Sequence, residues 1–228
     1  MASSQFDQVT EQFLHAVHAA GGGLPAVCAA CVRVLPVRRA AILLDEHDAG
    51  IQPWCASDDS ARRVETAQAT AGEGPAVSAV HEGLPVLVTD LTAECEDWPG
   101  FAEALSGTPI SGSLLAVPLR LGDIRIGAVD LYREAIGRPG PGFTSAALHV
   151  ADLVTASLVL AAGDVTKQWA QPVTSRWIHQ AAGLTSAQLG IELVDAYARL
   201  RGYAFTHGLS LVEVAHRVVD RRVRIEPE

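Results

Sequence analysis

The sequence has little of what marks secreted, membrane-spanning or disulfide-framed proteins. Its 228 residues include only four cysteines, Cys28, Cys31, Cys55 and Cys95, too few and too scattered to frame a secreted domain. The apolar stretch at 146–162 is interrupted by polar residues and lacks the roughly 20 uninterrupted apolar residues of a membrane span. The chain start lacks the basic and apolar segments of a secretory signal. We therefore expect a soluble cytoplasmic protein with reduced cysteines.

Two of the cysteines form a CxxC motif. Cys28 and Cys31 lie in the stretch 24–35, whose apolar residues follow helical spacing. No second CxxC or CxxH completes a zinc set. The motif therefore predicts a buried structural pair rather than a metal or redox site.

Motifs of the common enzyme classes are also absent. The sequence contains no GxSxG, HExxH, P-loop or GxGxxG motif. His15, His18 and His47 lie in helical or turn contexts without partners that the sequence identifies. We expect no catalytic activity, no metal site and no resident cofactor.

Charge is distributed unevenly along the chain, although the net charge is −9. Residues 1–166 hold 9 basic and 20 acidic residues, whereas residues 167–228 hold 8 basic and 6 acidic residues. A basic segment at one end of an acidic protein is typical of contact with nucleic acid. An ordinary charged helical tail explains the same pattern equally well.

Hydrophobic periodicity predicts an α+β domain followed by a small helical module. The predicted helices lie at 1–20, 24–35, 76–81 and 143–162, and the predicted strands at 40–45, 51–56, 85–89, 113–119 and 124–132. Helices and strands in this order make an antiparallel sheet with flanking helices. Gly163 and Pro172 mark a boundary, which gives a sensor and dimerisation domain at 1–165, a linker at 166–175 and a helical module at 176–228.

The C-terminal module has the period of three short helices. The first runs from Trp177 to near Gly190, the second ends before Gly208, and the third starts at Leu211. The segment 210–213 (SLVE) predicts a capping box at the start of the third helix. A module of about 50 residues is near the lower limit for independent stability. We therefore expect it to pack against the long helix or a partner copy.

Five short motifs in the first domain together resemble the GAF domains of actinobacterial regulators. They are GEGPA at 72–76, GLPV at 83–86, TDL at 89–91, SLLAVPL at 113–119 and GAVDLY at 127–132. The resemblance covers about 8–162 and implies a pocket for an unidentified small molecule between the sheet and its covering helices. It leaves open that the domain only dimerises, and a haem held by His81 or a cysteine is the less favoured ligand.

Five residues are candidates for contact with such a ligand, each with a structural role as the alternative: Trp54, Cys55, His81, Asp130 and Tyr132.

Three motifs in the second module resemble the ANTAR module, a three-helix RNA-binding unit of transcription antiterminators. They are IHQAAGL at 178–184, AYARLRGYA at 196–204 and LSLVEVA at 209–215. The resemblance implies a homodimer that binds paired RNA hairpins in a nascent leader transcript and prevents terminator formation. Sequence-specific RNA recognition commonly targets such loops. RNA is therefore the expected partner, rather than DNA or a membrane.

Six residues are candidates for contact with the RNA: Gln180, Ala181, Gly183, Arg199, Arg201 and Ala204. The small residues would let an RNA loop approach closely. The amide of Gln180 can donate and accept hydrogen bonds, and the arginines can pair with phosphates or stack on bases. The family usually has a lysine where this chain has Ala182, so one expected cationic contact is missing. Tyr197 lies on the apolar stripe of the second helix and is expected in the core.

Two other functions remain open. The segment 193–219 could be a DNA-binding helix-turn-helix, although its last helix begins with apolar residues rather than the polar ones that reach base edges. The protein could also be a dimeric signalling adaptor whose basic module binds another protein. The charge asymmetry also suggests how the protein is controlled. In this hypothesis the acidic domain holds the basic face of the module, so that the module does not bind RNA until a ligand or partner releases it.

Overall fold

The computed structural model describes residues 2–162, apart from 107 and 109, and residues 173–226. The helices are α1 (Ala2–Ala19), α2 (Gly23–Val34), α3 (Asp59–Ala71), α4 (Pro75–Glu82), α5 (Pro99–Leu105), α6 (Pro141–Ala162), α7 (Val173–Leu189), α8 (Leu193–Thr206) and α9 (Leu211–Val219). The strands are β1 (Arg39–Asp45), β2 (Ile51–Ala56), β3 (Val86–Val88), β4 (Ser113–Leu121) and β5 (Ile124–Arg133). A 3-10 turn, His47–Ala49, joins β1 to β2.

The N-terminal domain is built on one five-stranded sheet in the order β2-β1-β5-β4-β3. All four neighbouring pairs are antiparallel. The central hairpin of β4 and β5 turns at Gly122, whose φ of 62° suits glycine, and Leu121 pairs with Ile124 beside it. The predicted α+β class, with an antiparallel sheet and flanking helices, is confirmed.

Helices cover both faces of the sheet. On β4, Leu115 packs with α1, α2 and α6, whereas its neighbour Leu114 packs with α3 and α5. Successive side chains of a strand point to opposite faces, so a strand covered on both sides reads as a continuous apolar run. This explains the SLLAVPL segment, which is buried throughout.

The sequence pattern did not predict α3 and α5. Helix α3 starts at the N-cap Asp58, whose carboxylate accepts from the Ala61 amide at 2.8 Å. It ends at Gly72 in the left-handed conformation, with φ of 71°. Its inward face carries Glu65 and Gln68, both completely buried, and these polar residues interrupt the apolar stripe that identifies a helix.

The cysteines depart from the expectation of four reduced thiols. Cys28 of α2 forms a disulfide with Cys55 of β2, and their Cα atoms are 6.7 Å apart. Cys28 and Cys31 are both buried in α2, as predicted, but α2 packs against the sheet and brings Cys28 to β2. Cys31 and Cys95 are free and buried, and burial raises the pKa of the Cys31 thiol to about 12. Cys31 is thus protonated and unreactive at neutral pH.

Helix α6 contains the interrupted apolar stretch at 146–162. Its segment Pro141–Leu160 is long and apolar enough to cross a membrane, with a hydropathy of 1.6. One side of the helix, including Ala147, Val150 and Val154, is nevertheless buried against the sheet, and core helices pass the same test. The other side exposes apolar residues, with Leu160 80% exposed.

Helices α7, α8 and α9 pack around a separate core that includes Ile178, Leu200 and Val214. The predicted capping box at 210–213 is confirmed at the start of α9. Residues 163–172, which include most of the predicted linker at 166–175, lie outside the described residues.

The core of the C-terminal module also includes a residue of the N-terminal domain. Ala49, from the turn between β1 and β2, belongs to this core. The C-terminal module is therefore docked on the N-terminal domain.

Candidate functional site

Within the described residues, polar contacts at three or more places join the C-terminal module to the N-terminal domain. The Arg201 guanidinium of α8 donates to the Ala49 carbonyl at 3.3 Å. The Leu211 amide, at the start of α9, donates to Thr70 Oγ1 of α3 at 3.2 Å. This second bond is buried, and it satisfies one of the amides that a helix start leaves without an intrahelical partner. The module thus rests on the β1–β2 turn and on the end of α3.

Two glycines form the surface on which Arg201 lies. A Cβ at Gly72 would be 3.4 Å from Arg201 Cδ, and one at Gly50 would be 3.8 Å from its Nη1. Both positions have positive φ, which favours glycine. Burial lowers the pKa of Arg201, an effect that Tyr197 partly opposes, yet an arginine stays protonated near neutral pH. The candidate RNA contact is therefore a cation held against the N-terminal domain.

The third contact, an ion pair, belongs to a chain of polar contacts that crosses from β2 to α8. The Trp54 indole donates to Glu46 Oε1 at 2.9 Å. The other oxygen of Glu46 lies 2.8 Å from His179 Nε2 of α7. His179 Nδ1 in turn lies 2.5 Å from the Tyr197 hydroxyl. Side chains that both domains contribute thus form one continuous polar path.

The six candidate RNA-binding residues do not share one surface. Gln180 and Gly183 are exposed on α7, and Arg199 is half-buried on α8. Ala181 and Ala204 are completely buried in the core of the module. Their small side chains let the helices approach each other, and in this arrangement they present no surface to RNA.

Position 182, where the ANTAR resemblance leads us to expect a lysine, is also completely buried. The methyl group of Ala182 packs in the module core. A cation here would therefore face the core rather than the solvent, and its absence removes no exposed charge in this arrangement.

A buried polar cluster lies between α3 and the sheet. The Tyr132 hydroxyl donates to Glu65. The Gln68 amide nitrogen donates to Glu65 at 2.7 Å and to Asp130 at 2.8 Å. The Gln68 oxygen accepts from the Ala76 amide at 2.7 Å, which ties the start of α4 to the cluster.

The two carboxyl groups of this cluster share a site without solvent. Burial raises the pKa of Asp130 to about 7, and hydrogen bonds from Gln68 and Glu65 limit the rise. Burial, followed by the nearby charge of Asp130, raises the pKa of Glu65 well above its usual range. Near neutral pH the pair therefore retains at least one proton, because two adjacent buried carboxylates repel each other. Asp130 Oδ1 has no hydrogen-bond partner.

The five candidate ligand residues separate into different places. Asp130 and Tyr132, two residues apart on β5, both join the buried cluster. Trp54 belongs to the path toward the C-terminal module, and Cys55 is in the disulfide. His81 is exposed at the end of α4, where its carbonyl accepts from an arginine. Of the five, the structure brings Asp130 and Tyr132 together.

Glu65 and Gln68 were missed because α3 was not predicted. The signal was present, since the N-cap Asp58 starts a helix on which residues three apart share a face. Within the described ranges, 2–162 without 107 and 109, and 173–226, no three histidine, cysteine or acidic side chains come together to hold a metal ion.

Comparison with known proteins identifies the N-terminal domain. The family model of the GAF domain matches residues 24–161. The GAF domain of a phosphoenolpyruvate-protein phosphotransferase from Coxiella burnetii is 13% identical, with a TM-score of 0.53 over 72% of this chain and 98% of that one. A domain of a two-component sensor histidine kinase protein from Sinorhizobium meliloti is 21% identical, with a TM-score of 0.48 over 64% and 94%. No curated protein matches the chain.

Proposed function

The chain belongs to the GAF domain family through residues 24–161, and we propose that it is a transcription antitermination regulator. GAF domains sense small molecules or other signals and regulate an attached output. In this proposal the C-terminal module binds paired RNA hairpins in a nascent leader transcript and prevents terminator formation. The protein acts in the cytoplasm, without catalysis, and the GAF domain controls how much of the module is free to bind.

One observation carries the proposal: Arg201 is engaged by the GAF domain. Its guanidinium donates to the Ala49 carbonyl and lies over Gly72. The ANTAR resemblance assigns this same residue to RNA. A side chain in this position cannot extend to a phosphate or a base, so docking and RNA binding compete. Such competition lets a signal in one domain set the output of the other.

The exposed surface of the module supports RNA as the partner. Gln180 and Gly183 lie exposed on α7, where an amide can read the edge of an unpaired base. The last helix and its end add exposed positive charge through Arg217, Arg221, Arg222 and Arg224.

The start of α9 favours RNA over DNA. A helix-turn-helix protein reads base edges with the N-terminal residues of its second helix. Here Leu211, the first residue of α9, is 1% exposed, and its amide donates to Thr70 of the GAF domain. Leu211 packs in the core of the C-terminal module, so its side chain is kept from base edges whether or not the module is docked.

We also propose a homodimer formed through the GAF domain and its closing helix α6. Leu148, Val159 and Leu160 of α6 are 42%, 41% and 80% exposed. A second copy of α6 would bury these side chains. Sedimentation of a Leu160→Glu variant tests this: we expect monomers, and an unchanged dimer would place the interface elsewhere.

The first experiment titrates the full chain against a leader RNA with two hairpins, the same RNA with scrambled loops, and duplex DNA. We expect preference for the native loops, and a loss of about tenfold in affinity for Gln180→Ala, since its hydrogen bonds to a base would be lost. Gln8→Ala, an exposed glutamine of α1, is the matched control. Equal and weak binding to all three nucleic acids would refute the proposal.

Control by the GAF domain needs a separate variant, because Arg201→Ala removes both the docking contact and the RNA contact. Glu46→Gln weakens the pair with His179 and leaves the module residues intact. We expect tighter RNA binding than in the wild type. Glu82→Gln, which changes an exposed glutamate at the end of α4, is the control. Identical RNA affinities for both variants would mean that docking does not restrain the module.

A further inference from the structure

A cavity of about 520 Å³ lies where the C-terminal module meets the GAF domain. Its walls come from α3, from the end of α5 with the residues that follow it, and from the turn between α8 and α9. This volume falls in the range of cavities that hold small organic molecules. Because both domains contribute walls, a molecule in the cavity contacts sensor and output module together.

Positive charge lines the α3 side of this interdomain cavity. Arg62, Arg63 and Thr66 contribute cationic and hydroxyl groups, and Glu103 of α5 is the acidic lining residue. Arg62 makes an exposed pair with Asp59, at 3.7 Å with side chains 63% and 90% exposed. Such pairs contribute little, so the guanidinium can turn toward an anion. These two arginines lie in a segment that is acidic overall.

The remaining lining is largely apolar and includes one aromatic ring. Ala67 and Ala71 of α3, Ala104 of α5 and Leu209 of the module line the cavity together with Phe205. The Phe205 side chain is 45% exposed. Its ring is held close to α5, because a Cβ at Gly100 would lie 3.5 Å from Phe205 Cε2. An aromatic side chain held at a cavity provides a surface for a flat apolar group.

We propose that this interdomain cavity binds a small molecule that combines an anionic group with a flat apolar body. The anion pairs with Arg62 and Arg63, and the apolar body packs against Phe205 and the alanines. The site lies on the outer face of α3, opposite the face that covers the sheet. It is therefore distinct from the pocket between sheet and helices that the GAF resemblance implies.

Occupancy of this cavity would favour the docked module. A ligand that contacts both domains binds the docked arrangement better than the released one, and so shifts the population toward docking. The docked module is the form that does not bind RNA in the proposed function, so the ligand should lower the affinity for RNA. This consequence rests on the proposed function. The cavity itself is tested without RNA.

The test uses two fluorescent probes with the full chain. The first, 8-anilinonaphthalene-1-sulfonate, has the proposed chemistry, and the second, N-phenyl-1-naphthylamine, has the same rings without the anion. An Arg62→Ala, Arg63→Ala double variant removes the cations, and Ala104→Trp fills the cavity from an exposed position. Arg138→Ala changes an exposed arginine elsewhere and is the control.

We expect one saturable sulfonate site per chain in the wild type and in Arg138→Ala. The double variant should bind the sulfonate about tenfold more weakly, since a charge-assisted contact is lost, and should bind the neutral probe unchanged. Ala104→Trp should exclude both probes. The three variants change exposed residues, and their circular dichroism should match the wild type.

Equal sulfonate binding by all four proteins would overturn the proposal and place the probe on an exposed apolar surface. A loss in the double variant alone, with Ala104→Trp unaffected, would also overturn it, because pairing on the open surface explains that pattern. In the bound state, hydrogen–deuterium exchange should slow across the α8–α9 turn. RNA affinity is measured on the same proteins, so a failure of the RNA proposal is seen separately from a failure of the cavity.

Discussion

Stability should depend on pH through the buried carboxyl group of Asp130. Its pKa rises from 3.8 to about 7 in the folded protein because burial disfavours its charge. The folded state therefore holds a proton that the unfolded state releases, so stability falls as the pH rises between these two values. For one such group the free energy of unfolding falls by roughly 2 to 3 kcal/mol between pH 5 and pH 8.

The substitution Asp130→Asn should remove this loss. The amide has no charge to bury and can still accept from Gln68 through its oxygen. Burial is the largest cause of the raised pKa of Glu65 and is the same in both proteins, so the difference between them reports on Asp130. Relative to the wild type, the variant should gain roughly 2 to 3 kcal/mol between pH 5 and pH 8.

Urea unfolding followed by circular dichroism at both pH values measures this difference. Asp123→Asn, at the exposed turn of the same hairpin, is the control and should follow the wild type. If the stability difference between Asp130→Asn and the wild type is the same at both pH values, the carboxyl group titrates normally in the folded protein. Water or a cation would then reach the cluster, and the reasoning from burial would be wrong.

Three further predictions concern stability and can be checked by the same unfolding measurements. Gly74→Ala should destabilise the protein by about 2 kcal/mol, because the added Cβ would lie 2.6 Å from Gln68 Oε1 and the backbone φ is 139°. Gly140→Ala, where the space is open, is the control. A loss of stability in Gly74→Ala no larger than in this control would contradict the prediction. Ser210→Ala should cost about 1 kcal/mol through the lost cap of α9, and no change would mean that docking alone holds this helix end. Reduction of the disulfide between Cys28 and Cys55, which are 27 residues apart, should lower the free energy of unfolding by about 3.5 kcal/mol. Thiol titration that finds four reduced cysteines in the native protein would show that this disulfide does not form.

The sheet could be predicted from the sequence because its signals are local. The hairpin at Gly122 has a turn residue between two alternating apolar runs, and its register follows from that turn. The start of α9 was equally clear, because Ser210 and Glu213 satisfy each other within one turn. Elements specified by neighbouring residues were therefore found.

The candidate sites depend on contacts between distant residues, which local patterns do not carry. Glu65 and Gln68 are polar residues on the buried face of α3, and only their pairing with Asp130, about 60 residues later, explains them. The same is true of the disulfide between α2 and β2. Arg201 looked like a free cation in the sequence, because the Ala49 carbonyl that holds it comes from a separate domain.

Helix α3 has consequences for how such regulators diversify. Its inner face holds Glu65 and Gln68 in the buried cluster, and its outer face carries Thr66 beside the interdomain cavity and Thr70 against α9. Residues of one helix move together, so a displacement of the inner face reaches the outer face without a hinge between them. We therefore expect the inner and outer positions of α3, which alternate along the sequence, to be under different selective constraints. A descendant could exchange its C-terminal module by changing the outer positions while its inner positions, and the packing of α3 on the sheet, are inherited unchanged.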